Sequence, residues 1–302
     1  MLHTWADGKG GQKIENTGPL TKKRMETIDD EVTGHALAWM ETQAKAQKPF
    51  FLWYNTTAMH FRTHVAEKNK GKSGQGDYND QMAAHDEHIG EMLNKLDELG
   101  IAQHTYVIFT TDHGSPGRNP PLAGGKGTVS EGGLRVPFII RGPGVQPGAC
   151  SHVRAIGDDL FPTIAALAQV SEPLPKGIEG GSLVPVLTHG GVGAVERPRE
   201  ESVVHFPHYD KDIIGPASAI YLGDLKLIRI YETGEVRLFN LASDLGERRD
   251  LSREIPDKAK ELDQRLSDYL AAVDAQMPRL NPNYDSTRPT ETKRGGRRRV
   301  SP

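Results

Sequence analysis

Residues 105–114 read TYVIFTTDHG, and residues 124–144 read GGKGTVSEGGLRVPFIIRGPG. Residues 105–110 form a short apolar run rich in β-branched and aromatic side chains, the pattern of a strand buried on both faces. The run ends in Asp112, His113 and Gly114: a carboxylate, an imidazole, and a residue that permits a tight turn. Residues 136–140 repeat the strand pattern. In open α/β sheets ligands gather beyond the carboxyl ends of strands. Asp112 and His113 therefore stand where both can ligate one metal; the other reading makes Asp112 a cap for the next element. Between the strands, glycines flank Lys126. Such a loop lets backbone N–H groups approach an anion and aims one ammonium at it, or it is simply flexible. The glycine spacing is not that of a P-loop.

The flanking segments alternate in the same way. Met25, Ile28, Val32, Ala36, Trp39 and Met40 line one face of a helix over 24–46, with acidic residues at its start. The run FFLWYN (50–55) predicts another strand buried on both faces, and a polar loop covers 56–77. Tyr78, Met82, His85, Ile89, Leu93, Leu96 and Leu99 recur at helical spacing, and Gly100 is placed to end that helix. A short helix follows Asp159. Alternating helices and apolar strands argue for an α/β fold with a mostly parallel or mixed sheet flanked by helices.

Past residue 200 the pattern changes. Runs at 218–221, 225–231 and 236–241, separated by Gly223-Asp224 and Thr233-Gly234, predict an antiparallel meander. Leu262, Leu266, Tyr269, Leu270 and Val273 predict a helix packing on it. Residues 1–23 read as loop. The expected organisation is an α/β domain over 1–200, a small antiparallel subdomain over 201–280, and a disordered basic tail over 281–302.

Of 302 residues, 36% are hydrophobic and 25% charged, a globular balance, and 33 glycines with 20 prolines imply many loops. With 37 basic and 40 acidic residues the net charge is −3, so neither nucleic acid nor a membrane surface is an expected partner. No apolar run reaches the roughly 20 residues of a membrane span. The first eight residues lack the basic and apolar regions of a signal peptide, which gives a cytoplasmic expectation by default. The single cysteine, Cys150, excludes an internal disulfide and a multi-cysteine metal cage.

The run from Asp112 to Gly144 strongly resembles the sulfatase family of the alkaline phosphatase superfamily, with 124–144 similar to its second signature region. PFFLWYNTTAMH (49–60), DDLFPTIAALA (158–168) and SAIYLGDLKLIRIYETGEVRLFNLASDLGERRDL (218–251) resemble further regions of that family, in order. The resemblance covers about residues 20–285. It implies an alkaline-phosphatase-like sandwich and hydrolysis of sulfate esters, of a sulfated small molecule or glycan. It implies a divalent cation, calcium ahead of Mg2+ or Zn2+, with Asp112 and His113 as ligands. Lys126 matches the lysine on the sulfate oxygens. His60 matches the histidine on the sulfate or leaving-group oxygen, with His64 a weaker rival and Met59 and Arg62 standing where prolines are usual. His205 and His208 match a stretch at the pocket mouth, or are packed at a domain boundary. Arg135 and Glu131 are expected to order the glycine loop. Relatives are usually periplasmic, secreted or lysosomal.

The family's nucleophile is formylglycine, made from the first residue of a Cys/Ser-X-Pro-X-Arg site. These 302 residues contain no such site: Cys150-Ser151-His152-Val153-Arg154 has His152 at the proline position. No nucleophile is therefore assigned, and Cys150 is expected to be an ordinary loop residue. The expectation is a chain that lacks the family's N-terminal part, with an open sheet edge suited to pairing with a missing fragment. A metal-dependent phosphatase or phosphodiesterase and a non-catalytic sulfated-glycan-binding remnant are the competing expectations.

Overall fold

The computed structural model describes residues 1–60, 62–117, 119–209 and 215–284. Its elements in order are β1 (Leu2–Ala6), β2 (Gln12–Asn16), α1 (Lys22–Met25), α2 (Ile28–Lys45), α3 (Asp77–Glu98), β3 (Val107–Thr110), α4 (Glu131–Leu134), β4 (Phe138–Arg141), α5 (Leu160–Leu167), α6 (Val184–Thr188), β5 (Ser202–Phe206), β6 (Ala217–Leu222), β7 (Leu225–Ile230), β8 (Val236–Asn240) and α7 (Pro256–Ala272). The chain divides into two compact units. One holds 1–108, 140–151 and 187–191; the other holds 109–139, 152–186 and 192 onward. The division passes through β3 and β4, which pair with each other.

In the first unit, α2 packs on α3. Ile28, Ala36 and Met40 from α2 and Leu96 from α3 are buried on the faces read from the periodicity, and Ala84 is buried with them; Trp39, Tyr78 and Met82, read on the same faces, are exposed. Asp29, Asp30 and Glu31 occupy the first turn of α2, where carboxylates complement the helix dipole. Gly100 ends α3 at φ +68°. Its N–H donates to Asp97 and that of Ile101 to Leu96, the paired bonds of a Schellman motif. His88 of α3 reaches Asp30 of α2 at 2.8 Å.

The second unit is built on the meander β5-β6-β7-β8, antiparallel throughout. Gly223 and Asp224 form the two-residue turn joining Leu222 to Leu225, with Gly223 at φ +55°. Alternation sorts the side chains onto two faces. Ile220, Leu227 and Leu238 pack with Leu262, Leu266 and Leu270 of α7. Ala219, Tyr221, Ile228 and Phe239 pack with Val129, and Leu134 lies against them. One face thus carries the closing helix and the other the glycine-rich segment.

Three sequence expectations are corrected. Residues 1–23 are not all loop: β1 and β2 form a hairpin. Its strands are almost wholly exposed, so no buried stripe marked them. The turn is closed by Asp7, whose carboxylate accepts from the N–H groups of Lys9 and Gly11 at 2.8 Å each. Residues 50–55 are not a strand buried on both faces. They are unpaired among the described residues, with Phe51 and Trp53 60% and 74% exposed. Hydrophobicity selects burial, but a strand also needs a neighbouring backbone. Phe109, Phe138 and Ile139 of β3 and β4 are likewise exposed, because among the described residues that sheet has two strands. β5 is a further strand of the antiparallel subdomain expected over 201–280, beyond the three runs read there. Of the expected tail, residues 285–302 lie outside the described residues. No helix among the described residues is long and apolar enough to cross a membrane.

Asp29 is almost fully buried, and its two oxygens accept the backbone N–H groups of Thr57 and Ala58 at 2.7 and 3.0 Å. Asp29→Ala strands both donors, and a loss of roughly 1–3 kcal/mol is expected, measured by urea denaturation. Asp29→Asn, which keeps an acceptor, should lose less.

Candidate active site

The second unit carries Asp112, His113 and Lys126 on one short stretch of chain. β3 delivers the first two. Beyond it, Gly114 N–H donates to the Gly133 carbonyl at 2.8 Å, and Lys126 N–H donates to the Ser115 carbonyl at 2.8 Å. Gly132 N–H in turn bonds Ala123 at 2.7 Å. The glycine loop is therefore laced to the strand end, and the Lys126 backbone is fixed beside the residue two positions after His113. Gly114 is required by this close approach: a Cβ there would collide with the Gly132 carbonyl.

Asp112 is open to solvent, its side chain 80% exposed, with His113 half-buried beside it. Burial pushes the Asp112 carboxyl up, but His113, the Thr111 hydroxyl and the backbone N–H groups of Asp112 and His113 together outweigh it and hold it below its ordinary value. His113 Nδ1 bonds the Gly114 carbonyl at 2.8 Å, so Nδ1 carries the proton and Nε2 is left with a lone pair in the neutral ring. Nε2 lies 3.3 Å from Asp112 Oδ2. Two donors converge as metal ligands do. A hard cation, however, wants roughly six to eight oxygens. Among the described residues no third histidine, cysteine or carboxylate joins this pair within ligand reach. The two residues alone do not fit a calcium site.

The loop is held from beneath by a buried ionic cluster. Glu131 lies in the short turn α4 and is nearly inaccessible; Lys226 of β7 is wholly so. Lys226 Nζ donates to Glu131 Oε1 at 2.9 Å, and Tyr221 Oη donates to the same oxygen at 2.8 Å. Arg135 Nε bonds Glu131 Oε2 at 3.0 Å. Glu247 completes the cluster: its Oε2 accepts the Glu131 N–H at 2.8 Å, and its Oε1 sits 2.7 Å from Lys226 Nζ. Burial pushes the Glu131 carboxyl up, yet Lys226, Tyr221 and Arg135 bring it below the ordinary value. For Glu247, burial wins over Lys226 and the pKa is raised.

The remaining histidines fall in different settings. His60 belongs to the first unit. It is exposed and follows the turn anchored on Asp29, its N–H bonded to Thr57 at 3.1 Å; His64 is half-buried nearby in sequence. His205 lies in β5, opposite Ser218. Its Nδ1 is 2.6 Å from Ser218 Oγ and its Nε2 2.8 Å from the Gln276 carbonyl. Both nitrogens have a partner, the first in a part-buried bond and the second in an exposed one. His208 is exposed, edge-on to Phe206 at 5.6 Å. Cys150 is an exposed free thiol. Lys226, Tyr221 and Glu247 were missed as supports of the loop. A lysine among apolar residues in a strand run, LKLI (225–228), was the available signal.

The sulfatase family model matches residues 4–170. This chain belongs to the sulfatase family. A sulfatase of Formosa agariphila is 31% identical over 305 residues, covering 89% of this chain and 54% of that one. Mouse N-acetylgalactosamine-6-sulfatase is 34% identical over 190 residues, covering 60% of this chain and 36% of its own length. Human arylsulfatase A is 33% identical over 185 residues, with 58% and 35% covered. The chain thus spans about a third to a half of these relatives. The structure of the PsFucS1 sulfatase from Pseudoalteromonas sp. superposes with a TM-score of 0.74 at 23% identity, over 92% of this chain and 58% of that one. The fold is the alkaline-phosphatase-like fold of the sulfatases.

Two outcomes test the buried cluster. Lys226→Ala removes the buried cation that Glu131 and Glu247 share and should cost about 3–5 kcal/mol in urea denaturation. Glu247 has a raised folded pKa, so its folded state holds the proton longer. Its contribution is full below the ordinary value of 4.5 and is lost as pH rises through the folded value. Glu247→Gln removes that loss. The stability of the variant relative to the parent should therefore climb as pH rises above about 4.5, read from paired urea melts at stepped pH.

Proposed function

We propose that this chain supplies the sulfate-gripping side of a sulfatase site acting on sulfate esters of carbohydrates. The observation that carries the reading is the glycine loop bonded to the end of β3 through Lys126 N–H and Gly114 N–H, which fixes an exposed ammonium-bearing residue beside the Asp112–His113 strand end. A sulfate monoester has one negative charge, and further charge develops on the leaving oxygen as the S–O bond breaks. The Lys126 ammonium opposes that charge from a preorganised backbone, the kind of arrangement that supplies much of enzymatic rate enhancement. Asp112 and His113 contribute two donors toward a divalent cation, and no step is assigned to one. Carbohydrate as the substrate class rests on the relative named for N-acetylgalactosamine 6-sulfate. The Cys/Ser-X-Pro-X-Arg site is absent from these 302 residues, so the function proposed for the chain by itself is recognition of the ester without turnover.

Calorimetric titration with a sulfated monosaccharide should show binding that Lys126→Ala weakens by roughly ten- to a hundredfold, the value of one hydrogen bond to a charged group. Equal affinity of parent and variant overturns the reading. An aryl sulfate assay with added calcium should show no Lys126-dependent release of the phenol. Preferential binding of the matching phosphate ester would move the chain to the phosphoryl-transfer branch of the superfamily.

A further inference from the structure

Among the described residues, one group of three metal-ligating side chains draws together, and it lies outside the candidate active site: His3, Glu31 and His35, with one donor atom of each within 4.8 Å of the others. All three belong to the first unit. Glu31 and His35 are four apart on α2, so they stack on one helix face. His3 comes from β1 and is the one residue of that strand not fully open to solvent. Its Nε2 is 3.0 Å from Glu31 Oε1, and its ring meets His35 edge-on with centroids 5.0 Å apart.

Glu31 is fixed from its other side. Arg24 Nε lies 3.2 Å from Oε2 and Arg24 Nη2 2.7 Å from Oε1, while Nη1 reaches the Thr17 carbonyl at 2.8 Å. Arg24, with His3, holds the carboxyl below its ordinary value against the pull of burial. A charged, oriented carboxylate supported by a second group, with two imidazoles beside it, is the environment of a metal ligand. The hairpin has little else to hold it, since its strands bury almost nothing.

We propose that His3, Glu31 and His35 form a site for a divalent first-row transition ion of the zinc class, clipping the hairpin onto α2. Two nitrogens and one oxygen suit zinc and not calcium. Tetrahedral ligands around zinc stand roughly 3.3 Å apart, so the cluster must tighten. His35, exposed on the helix surface, tightens it by a rotamer change. The ion replaces the His3–Glu31 contact, Arg24 keeps its grip on the carboxylate, and water completes the coordination.

The test titrates the chelator-treated 302-residue chain with Zn2+ alone against a chromophoric competitor. It is repeated in Asp112→Asn/His113→Ala, which removes the donors of the candidate active site. One equivalent should bind in both. His35→Ala and His3→Ala should each weaken that equivalent about tenfold or more. Zinc should raise the Tm of the parent and not that of His35→Ala, whose metal-free Tm stays near the parent's because the side chain is exposed. No stoichiometric zinc in the parent, or unchanged affinity in both histidine variants, overturns the proposal.

Discussion

The ammonium of Lys226, shut away from water between Glu131 and Glu247, is the interaction on which the arrangement of the second unit depends. Taking three charges out of solvent is expensive, and it is tolerable only with close pairing and further hydrogen bonds. Here one lysine comes from the second strand of a hairpin, one glutamate from the glycine-rich segment, and one from the turn after the meander. Each is useless without the others. Desolvation makes the cluster intolerant of displacement, so the glycine-rich segment has one position on the sheet.

That constraint explains how a segment so poor in side chains stays ordered. Gly132 and Gly133 lie within a few residues of Glu131, and their backbones approach neighbouring carbonyls too closely for a Cβ. Glycine freedom would ordinarily loosen such a stretch. The buried carboxylate at its centre and the lacing to the end of β3 remove that freedom. Lys126 can then stand exposed on a rigid backbone. The first unit uses a related device at smaller scale, where the Asp29 carboxylate collects two N–H groups of the turn that leads to His60.

Helices and hairpins were legible because their signals are local. The apolar spacing of α3, the glycine that ends it, and the Gly223-Asp224 turn each report on a few consecutive residues. Residues 50–55 and the strands β3 and β4 were misread in their surroundings. Their aromatic composition describes how well they suit a covered sheet and says nothing about which backbone lies alongside. The first hairpin was missed for the opposite reason, since its strands have no face to bury and only its Asp-Gly turn signalled it. For the site, Asp112, His113 and Lys126 were visible as chemistry on a strand end. His205 was visible as a histidine, while its bonds to Ser218 and Gln276 were hidden.

The sequence by itself determined the antiparallel meander and the extent of the main helices, because these are written in the spacing along one stretch of chain, and the resemblance of its signature stretches pointed to the family. Only the tertiary structure decided that Lys226 closes an ionic cluster beneath the glycine loop, that His205 bonds Ser218 and Gln276, and that His3 meets Glu31 and His35. Those outcomes join residues tens of positions apart. Their energies come from desolvation and directional bonding, which act through space and leave no period in the sequence.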